Sequence, residues 1–280
     1  MRVAYFPNQC AQNSAPVMSA LLESLQSAGH TIEPSAWEAD VAIIWSVLWH
    51  GRMRDNYKVW SHYTQSKKPV IVADVGTLHR GITWKVALNN ITADGHYGHL
   101  ENLDPDRPKK LGIQLANNRN KNSKIVVATQ HNQSLQVSGL ISVEDWVLTQ
   151  LKNLKAVSDR PVVVRPHPRC RLDIKQITSQ YPGIIVEQPQ RLINTYDSFD
   201  LEFDCHAIIN YNSGPGILAA INGVRPMVDR SSLAYPVNVD FNDIEQDYTV
   251  DRAQWLTEIC HTEYTIEELR QGLWLKRLNL

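Results

Sequence analysis

The sequence predicts an α/β protein made of two Rossmann-like halves, each with a parallel sheet covered by helices. Short apolar runs alternate with amphipathic stretches along most of the chain, as expected for parallel strands that are buried on both faces. This alternation stops between residues 92 and 123, where Asn, Asp, Pro and Lys are frequent. A stretch of that length without periodicity is typical of a linker or a functional loop. We therefore expect one domain over residues 1–115 and a second over residues 116–280.

In the first half, apolar runs predict strands at residues 3–6, 41–45 and 69–73, with helices at 15–28 and 55–65 between them. The second half repeats the order. Its predicted strands lie at residues 124–128, 161–164, 184–186, 206–210 and 225–228. Its predicted helices lie at 143–157 and 173–180, with a third that begins at Ser213 and two more after residue 251. Such folds bind ligands at the carboxyl ends of their strands, so we expect a site in a cleft where the halves face each other.

Composition narrows the class of protein. The 280 residues are 43% hydrophobic and 20% charged, which is typical of a globular chain with a core. The formal net charge of −1 means that any nucleic-acid binding must use a local patch. The four cysteines form no CxxC pair, which argues against a zinc site or a disulfide framework and fits a reducing cytoplasm. Since the N-terminus resembles a strand and no apolar run reaches about 20 residues, we expect a soluble, cytoplasmic protein without membrane contact.

The first candidate site follows the predicted strand 161–164 and has the sequence Arg165-Pro166-His167-Pro168-Arg169. Two prolines restrict the backbone and hold the cationic side chains in a fixed direction. Cations at the carboxyl end of a strand suit a phosphate or diphosphate. The alternative is a rigid turn with solvated arginines.

The second candidate runs from a strand into an apolar helix, over residues 210–216. Ser213 is placed to cap the helix, Gly214 and Gly216 allow a ligand close to the backbone, and Pro215 suits the first helical turn. A helix N-terminus favours an anion, so we expect Asn212, Ser213 and Gly214 to contact the phosphate. The alternative is an ordinary N-cap. The segment matches neither the Walker A loop nor the GxGxxG fingerprint, which disfavours kinases and dehydrogenases.

The third candidate, residues 74–81, follows the predicted strand 69–73. Asp74 is a candidate general base for an acceptor hydroxyl, His79 is a second candidate, and Arg80 is expected to contact the acceptor. The alternative is an aspartate that caps the next turn. No HExxH or His-Cys pattern occurs, so we expect no metal, and no GxSxG nucleophile elbow is present.

A basic stretch is the fourth candidate. Its members are Arg107, Lys109, Lys110, Arg119, Lys121 and Lys124. The charges fit contact with a phosphate backbone, for which we select Lys109, Lys110 and Lys121 as acceptor-binding residues. The alternative is a solvated linker.

Together the first three candidates resemble the motifs of bacterial capsule polysaccharide biosynthesis glycosyltransferases (the Kdo-transferase group) and, more distantly, of bacterial sialyltransferases. Asp74-Val75-Gly76 resembles the acidic motif that includes that family's catalytic base, although Val75 stands at its second acid. The segment 164–169 resembles the His-Pro motif, and 211–214 resembles the Ser-containing helix start; both hold the donor phosphate in the family. The resemblance covers residues 70–235 and implies a GT-B fold.

The resemblance implies an inverting, metal-independent glycosyltransferase that uses a nucleotide-sugar, UDP- or CMP-linked. Arg165, His167, Arg169 and the start of the Ser213 helix would hold the donor. Small chains of this type also resemble putative glycosyltransferases of tailed phages, working in the host cytoplasm. That suggests a 5-hydroxymethylpyrimidine in double-stranded DNA as acceptor. Open alternatives are a capsule or surface glycan acceptor, a sugar-nucleotide epimerase or hydrolase, and a nucleotide- or DNA-binding module without catalysis; no oligomeric state is indicated.

Overall fold

A computed structural model describes residues 1–119, 123–140, 142–196, 198–201 and 203–280. The strands are β1 (Arg2–Tyr5), β2 (Thr31–Pro34), β3 (Val41–Trp45), β4 (Val70–Val75), β5 (Thr83–Leu88), β6 (Ile125–Ala128), β7 (Val162–Arg165), β8 (Ile185–Val186), β9 (Ala207–Asn210), β10 (Arg225–Val228) and β11 (Glu263–Thr265). The α-helices are α1 (Ala15–Ser27), α2 (Asn56–Gln65), α3 (Arg107–Lys110), α4 (Val143–Lys155), α5 (Ile174–Gln180), α6 (Gly214–Ile221), α7 (Ala253–Cys260), α8 (Ile266–Arg270) and α9 (Leu273–Leu278).

The chain divides into two compact units. The first unit comprises Met1–Arg107, Gln133–Leu135 and Glu258–Leu280, and the second comprises Pro108–Asn132 and Gln136–Thr257. The predicted domains, 1–115 and 116–280, differ from this division. They assign the C-terminal segment, Glu258–Leu280, to the second domain. That segment belongs to the first unit because β11 pairs with β5 and extends the first sheet.

The sheet of the first unit has the order β11-β5-β4-β3-β1-β2. Its strands β1 to β4 are parallel, whereas β5 is antiparallel to both β4 and β11. The apolar runs predict β1, β3 and β4 but not β5, because the buried strand β5 carries the polar residues Thr83 and Lys85. An antiparallel edge beside a parallel centre is common in doubly wound sheets.

The C-terminal helices pack onto α1. Trp274 is fully buried, and its Nε1 donates to Ser24 Oγ (3.1 Å) on α1. A capping box begins α8, since Glu268 N donates to Thr265 Oγ1 (3.2 Å) and Thr265 N donates to Glu268 Oε2 (2.9 Å). These contacts fix the chain on either side of β11.

The sheet of the second unit is parallel throughout, with the order β10-β9-β6-β7-β8. Its predicted strands agree with the structure to within one residue at each end, because both faces of the sheet are covered and the strands are continuous apolar runs. One face packs with α4 and α5, and the other with α6. The carboxyl ends of β6, β7, β9 and β10 therefore lie at one edge of this sheet.

None of the helices that the structure describes is both long enough and apolar enough to span a membrane.

Candidate functional site

In the second unit, three neighbouring strands, β7, β6 and β9, end at residues that lie side by side in the sheet. Ala128, the last residue of β6, pairs with Arg165 at the end of β7 and with Asn210 at the end of β9. The next residues of all three strands therefore meet at one edge. We call the resulting cluster the strand-end site; its members are Thr129, Gln130, His131, His167, Asn212 and Ser213.

His167 is held from both sides of its turn. Its backbone N–H donates to Thr129 Oγ1 (2.9 Å), and its Nδ1 accepts from the backbone N–H of Arg169 (3.2 Å). A ring nitrogen that accepts carries no proton, so the neutral ring has its proton on Nε2. The turn thus presents an Nε2–H donor, which is a suitable partner for a phosphate oxygen.

A second imidazole lies beside His167. The ring of buried His131 is edge-on to it, with centroids 5.4 Å apart and an interplanar angle of 74°. Sequence reasoning missed His131, which follows β6 by three residues without a recognisable motif. Only the parallel register of β6 and β7 brings the two rings together.

Ser213 stands at the predicted N-cap of α6, but its side chain does not cap the helix. Its Oγ accepts from Asn210 Nδ2 (3.0 Å), and its backbone N–H donates to Asn210 Oδ1 (2.8 Å). Pro215 lies in the first turn as predicted. The turn into α6 is thus shaped by Asn210, and Gly214 begins a helix whose first-turn amides take no hydrogen bond from the Ser213 side chain.

Gly216 has a different role from the predicted one. A Cβ at this position would lie 2.5 Å from Val228 Cγ1, so Gly216 lets α6 pack closely on β10. It is buried and serves packing instead of ligand approach.

Asn212 joins its own turn to two other loops by hydrogen bonds. Its backbone N–H donates to Gln130 Oε1 (3.1 Å), and its Oδ1 accepts from Gln130 Nε2 (2.9 Å). Its Nδ2 donates to Gln136 O (3.0 Å) and to Ser231 Oγ (2.9 Å). Because the amide is fully engaged, we revise Asn212 from a predicted phosphate ligand to a residue that positions Ser213.

The two arginines of the His-Pro turn differ. Arg165 is only 5% exposed, and its guanidinium donates to Asp200 Oδ1 (2.7 Å) and lies 3.8 Å from Glu187. It is therefore committed to protein carboxylates, which corrects its predicted role in binding phosphate. Arg169 is exposed, so it is the arginine that can approach a ligand.

A cavity of about 170 Å³ lies at the carboxyl ends of β9 and β10. Its lining includes the aromatic rings of Trp146 and Phe241 and the carboxylates of Asp229 and Asp240, and among the residues that the structure describes no Lys, Arg or His contributes to it. A cavity of this composition suits a neutral, polar ring with hydroxyl groups and disfavours a phosphate.

In the first unit, Asp74 lies near the end of β4, beside Ser46, which follows β3. Ser46 Oγ donates to Asp74 Oδ2 (2.9 Å), and the backbone N–H of Val75 donates to Oδ1 (2.7 Å). Burial raises the pKa of Asp74, while these two hydrogen bonds and the charges of Lys85 and Arg80 oppose the rise. A carboxyl with a raised pKa is a stronger base than an ordinary one.

The turn after Asp74 is built around a second carboxylate. Buried Glu263 accepts from the backbone N–H groups of Thr77 (2.6 Å) and Leu78 (3.1 Å) and from Thr83 Oγ1 (2.7 Å). A Cβ at Gly76 would overlap both Glu263 and the Thr83 carbonyl, which explains the glycine of the Asp-Val-Gly segment. Sequence reasoning missed Glu263 because it reaches the turn from β11, far along the chain.

The remaining predicted residues of this region lie in the turn between β4 and β5. His79 O accepts from the backbone N–H groups of Ile82 and Thr83 (both 2.9 Å), and the side chain of His79 is half-buried. Arg80 is exposed, and its charge acts on Asp74. The structure thus places Asp74, His79 and Arg80 in one region of the first unit.

The basic stretch does not act as one surface. Arg107 is buried and bound to Glu268 through two hydrogen bonds of 2.8 and 3.1 Å, so it anchors the C-terminal segment and cannot contact DNA. Lys109 and Lys110 are exposed, whereas Lys121 lies outside the described residues. Among the residues that the structure describes, no group of three or more His, Cys, Asp or Glu side chains is placed to hold a metal ion.

No known family model matches the chain, and no curated protein is similar to it in sequence. The fold is similar to that of Thermosulfurimonas dismutans KpsC, beta Kdo 2,7 transferase, with a TM-score of 0.53 and 13% identity over 100% of both chains. The KpsC beta Kdo 2,4 transferase from the same organism gives a TM-score of 0.53 and 10% identity over 98% of both chains. This likeness shows a shared fold, and it confirms the predicted GT-B-like α/β class with Rossmann-like domains.

Proposed function

We propose that the chain is a glycosyltransferase that moves a sugar from a nucleotide-sugar to an acceptor hydroxyl. The observation that carries this proposal is the strand-end site, where the Nε2–H of His167 and the start of α6 converge at one edge of a parallel sheet. Both groups suit a phosphate. The shared fold with two Kdo transferases supports sugar transfer as the use of that phosphate site.

In this proposal the donor, a UDP- or CMP-sugar, binds to the second unit. His167, exposed Arg169 and the first-turn amides of α6, beginning at Gly214, contact the phosphate. The adjoining cavity, lined by Trp146, Asp229 and Asp240, holds part of the nucleoside, since aromatic rings and carboxylates suit a base or ribose hydroxyls. Imidazole, guanidinium and helix amides supply the charge that a metal would otherwise supply, so the proposed reaction is metal-independent.

Asp74 is the proposed base. It takes the proton of the acceptor hydroxyl as that oxygen bonds to the anomeric carbon, and the bond from this carbon to the phosphate oxygen breaks. The electron pair of the broken bond goes to the nucleotide phosphate, where the strand-end site stabilises it. This single displacement inverts the anomeric configuration. His79 is the second candidate for the base.

Two acceptor classes are open to this mechanism. A glycan hydroxyl is favoured for two reasons. The chains of similar fold are Kdo transferases, and Arg107 of the basic stretch is buried in an ion pair with Glu268. A 5-hydroxymethylpyrimidine in duplex DNA is the second candidate, and the exposed pair Lys109 and Lys110 favours it.

The test offers labelled UDP- and CMP-sugars in EDTA, with either capsule-type glycans or duplexes that contain hydroxymethylcytosine or hydroxymethyluracil. Label in one acceptor class supports transfer and identifies the acceptor. NMR of the product gives the anomeric configuration, and retention would indicate that a carboxylate attacks the sugar instead of taking a proton. Conversion of the donor without an acceptor would indicate an epimerase or hydrolase. Donor binding without any turnover would indicate a binding module.

A further inference from the structure

Three charged side chains form a row across the sheet of the first unit. In the antiparallel pairing of β4 with β5, Asp74 lies opposite Lys85, and in the pairing of β5 with β11, Lys85 lies opposite Glu263. Residues that are directly opposite in antiparallel strands project from the same face, with Cβ atoms about 5 Å apart. One lysine thus stands between two acidic residues on this face of the sheet.

Lys85 is unusual among the lysines of this unit because it is only 7% exposed. Within the described part of the chain its ammonium group donates no hydrogen bond and belongs to no ion pair, although its charge acts on Asp74. Burying a charge without a partner lowers the free energy of unfolding, so hydrogen bonds or ion pairs of Lys85 do not explain why a lysine occupies this position. Packing alone would be served better by an apolar side chain of the same length.

The two carboxylates of the row differ in how they are held. Glu263 accepts three hydrogen bonds, two of them from backbone N–H groups. Asp74 accepts two, from Ser46 Oγ and its neighbouring N–H. If the row lost its only cation, burial would raise the pKa of Asp74 against one fewer opposing charge.

We propose that Lys85 is the internal counter-ion that keeps Asp74 ionised, and so is a positioning residue for the base of the transfer reaction. The inference rests on the proposed function for its meaning, but the electrostatic effect is a property of the protein alone. The other charged or titratable groups around Asp74 are Arg80 from the turn, which acts on Asp74, Tyr97 from the segment after β5, whose pKa is raised by burial and by the charges of Glu263 and Asp74, and, through the row, Glu263. Arg80 is exposed and screened by water, which leaves Lys85 as the buried cation that acts on Asp74.

The test is an NMR titration of protein labelled with ¹³C at aspartate Cγ, without any substrate. Asp74→Asn identifies the Asp74 resonance. In Lys85→Met, and in Lys85→Gln as a second neutral variant, we expect the titration midpoint of Asp74 to rise by roughly one pH unit or more. Lys85→Arg restores the charge and should return the midpoint close to the wild-type value. The matched control is Lys58→Met, which removes an exposed lysine of α2 whose partner is Asp55 (3.1 Å).

An unchanged Asp74 midpoint in both neutral variants would overturn the inference, as would an equal rise in Lys58→Met. Both neutral variants should fold, because they remove a buried charge without breaking a hydrogen bond, and circular dichroism checks this. The midpoint is measured without donor or acceptor. A chain that transfers no sugar but shows the shift would therefore refute the proposed function and leave the counter-ion in place.

Discussion

The two units build their candidate sites in different ways. In the second unit, short segments after neighbouring parallel strands supply the site, and the segments after β7 and β9 are recognisable in the sequence. In the first unit, the surroundings of Asp74 come from β3, β5 and β11, which lie far apart along the chain. The second unit is therefore organised by local motifs, and the first by sheet register. This difference suggests that the second unit binds a common ligand, whereas the first unit sets the reactivity of one carboxyl.

The largest expected effect tests this division of labour. Asp74→Asn should lower turnover by about 10²- to 10⁴-fold, the range for loss of a general base, and should leave donor affinity unchanged. Asparagine keeps the shape: its Oδ1 can accept from the Val75 N–H, and its Nδ2 can donate to Ser46 Oγ, so the fold should be preserved. Steady-state kinetics gives the turnover, and calorimetry with the nucleotide gives the affinity. Turnover within a few-fold of wild type would shift the base role to His79.

In the second unit we expect substitutions to weaken nucleotide binding. His167→Ala should weaken nucleotide binding by about 1.5–3 kcal/mol, the usual loss for a hydrogen bond to a charged group. Arg169→Ala should weaken it less, because an exposed cation is screened. Calorimetry with the free nucleotide measures both. The matched comparison is Arg165→Ala, which should lower thermal stability because it leaves Asp200 unpaired. Unchanged affinity in His167→Ala would contradict the phosphate site.

The pH dependence of turnover reports on the first unit alone. A protonated carboxyl cannot accept the hydroxyl proton, so the rate should fall as the pH drops through the pKa of Asp74. Since burial raises that pKa, the fall should begin at a higher pH than for an ordinary carboxyl, which titrates near 4. In His167→Ala the rate should be lower at every pH, with the same acid limb. An acid limb that moves in this variant would show that the units do not act separately.

Sequence pattern predicted most of the second unit and part of the first, for physical reasons. A strand that is buried on both faces is a continuous apolar run, so β6, β7, β9 and β10 are visible in the sequence. The strand β5 is not visible as an apolar run because it carries the polar residues Thr83 and Lys85, and β11 is only three residues long. His131, Lys85 and Glu263 were missed because their roles depend on which residues lie opposite them. Arg165 and Asn212 were assigned to the ligand because a motif shows the residue type but not its hydrogen-bond partners.

The smallest expected effect concerns the basic stretch, and it separates the two acceptor classes. Each phosphate that a lysine neutralises steepens the dependence of log affinity on log salt by about 0.9 for duplex DNA. If DNA is the acceptor, changing Lys109, Lys110 and Lys121 to Ala should flatten that slope by up to about three units and leave donor binding alone. The variant should fold normally, because Lys109 and Lys110 are exposed, in contrast to Arg107, which anchors the C-terminal segment. Fluorescence anisotropy with a hydroxymethylated duplex at several salt concentrations gives the slope, and Lys58→Ala on α2 is the control for a lost surface charge. A slope near zero in the wild-type protein would exclude the backbone contacts that a DNA acceptor requires and would favour the glycan.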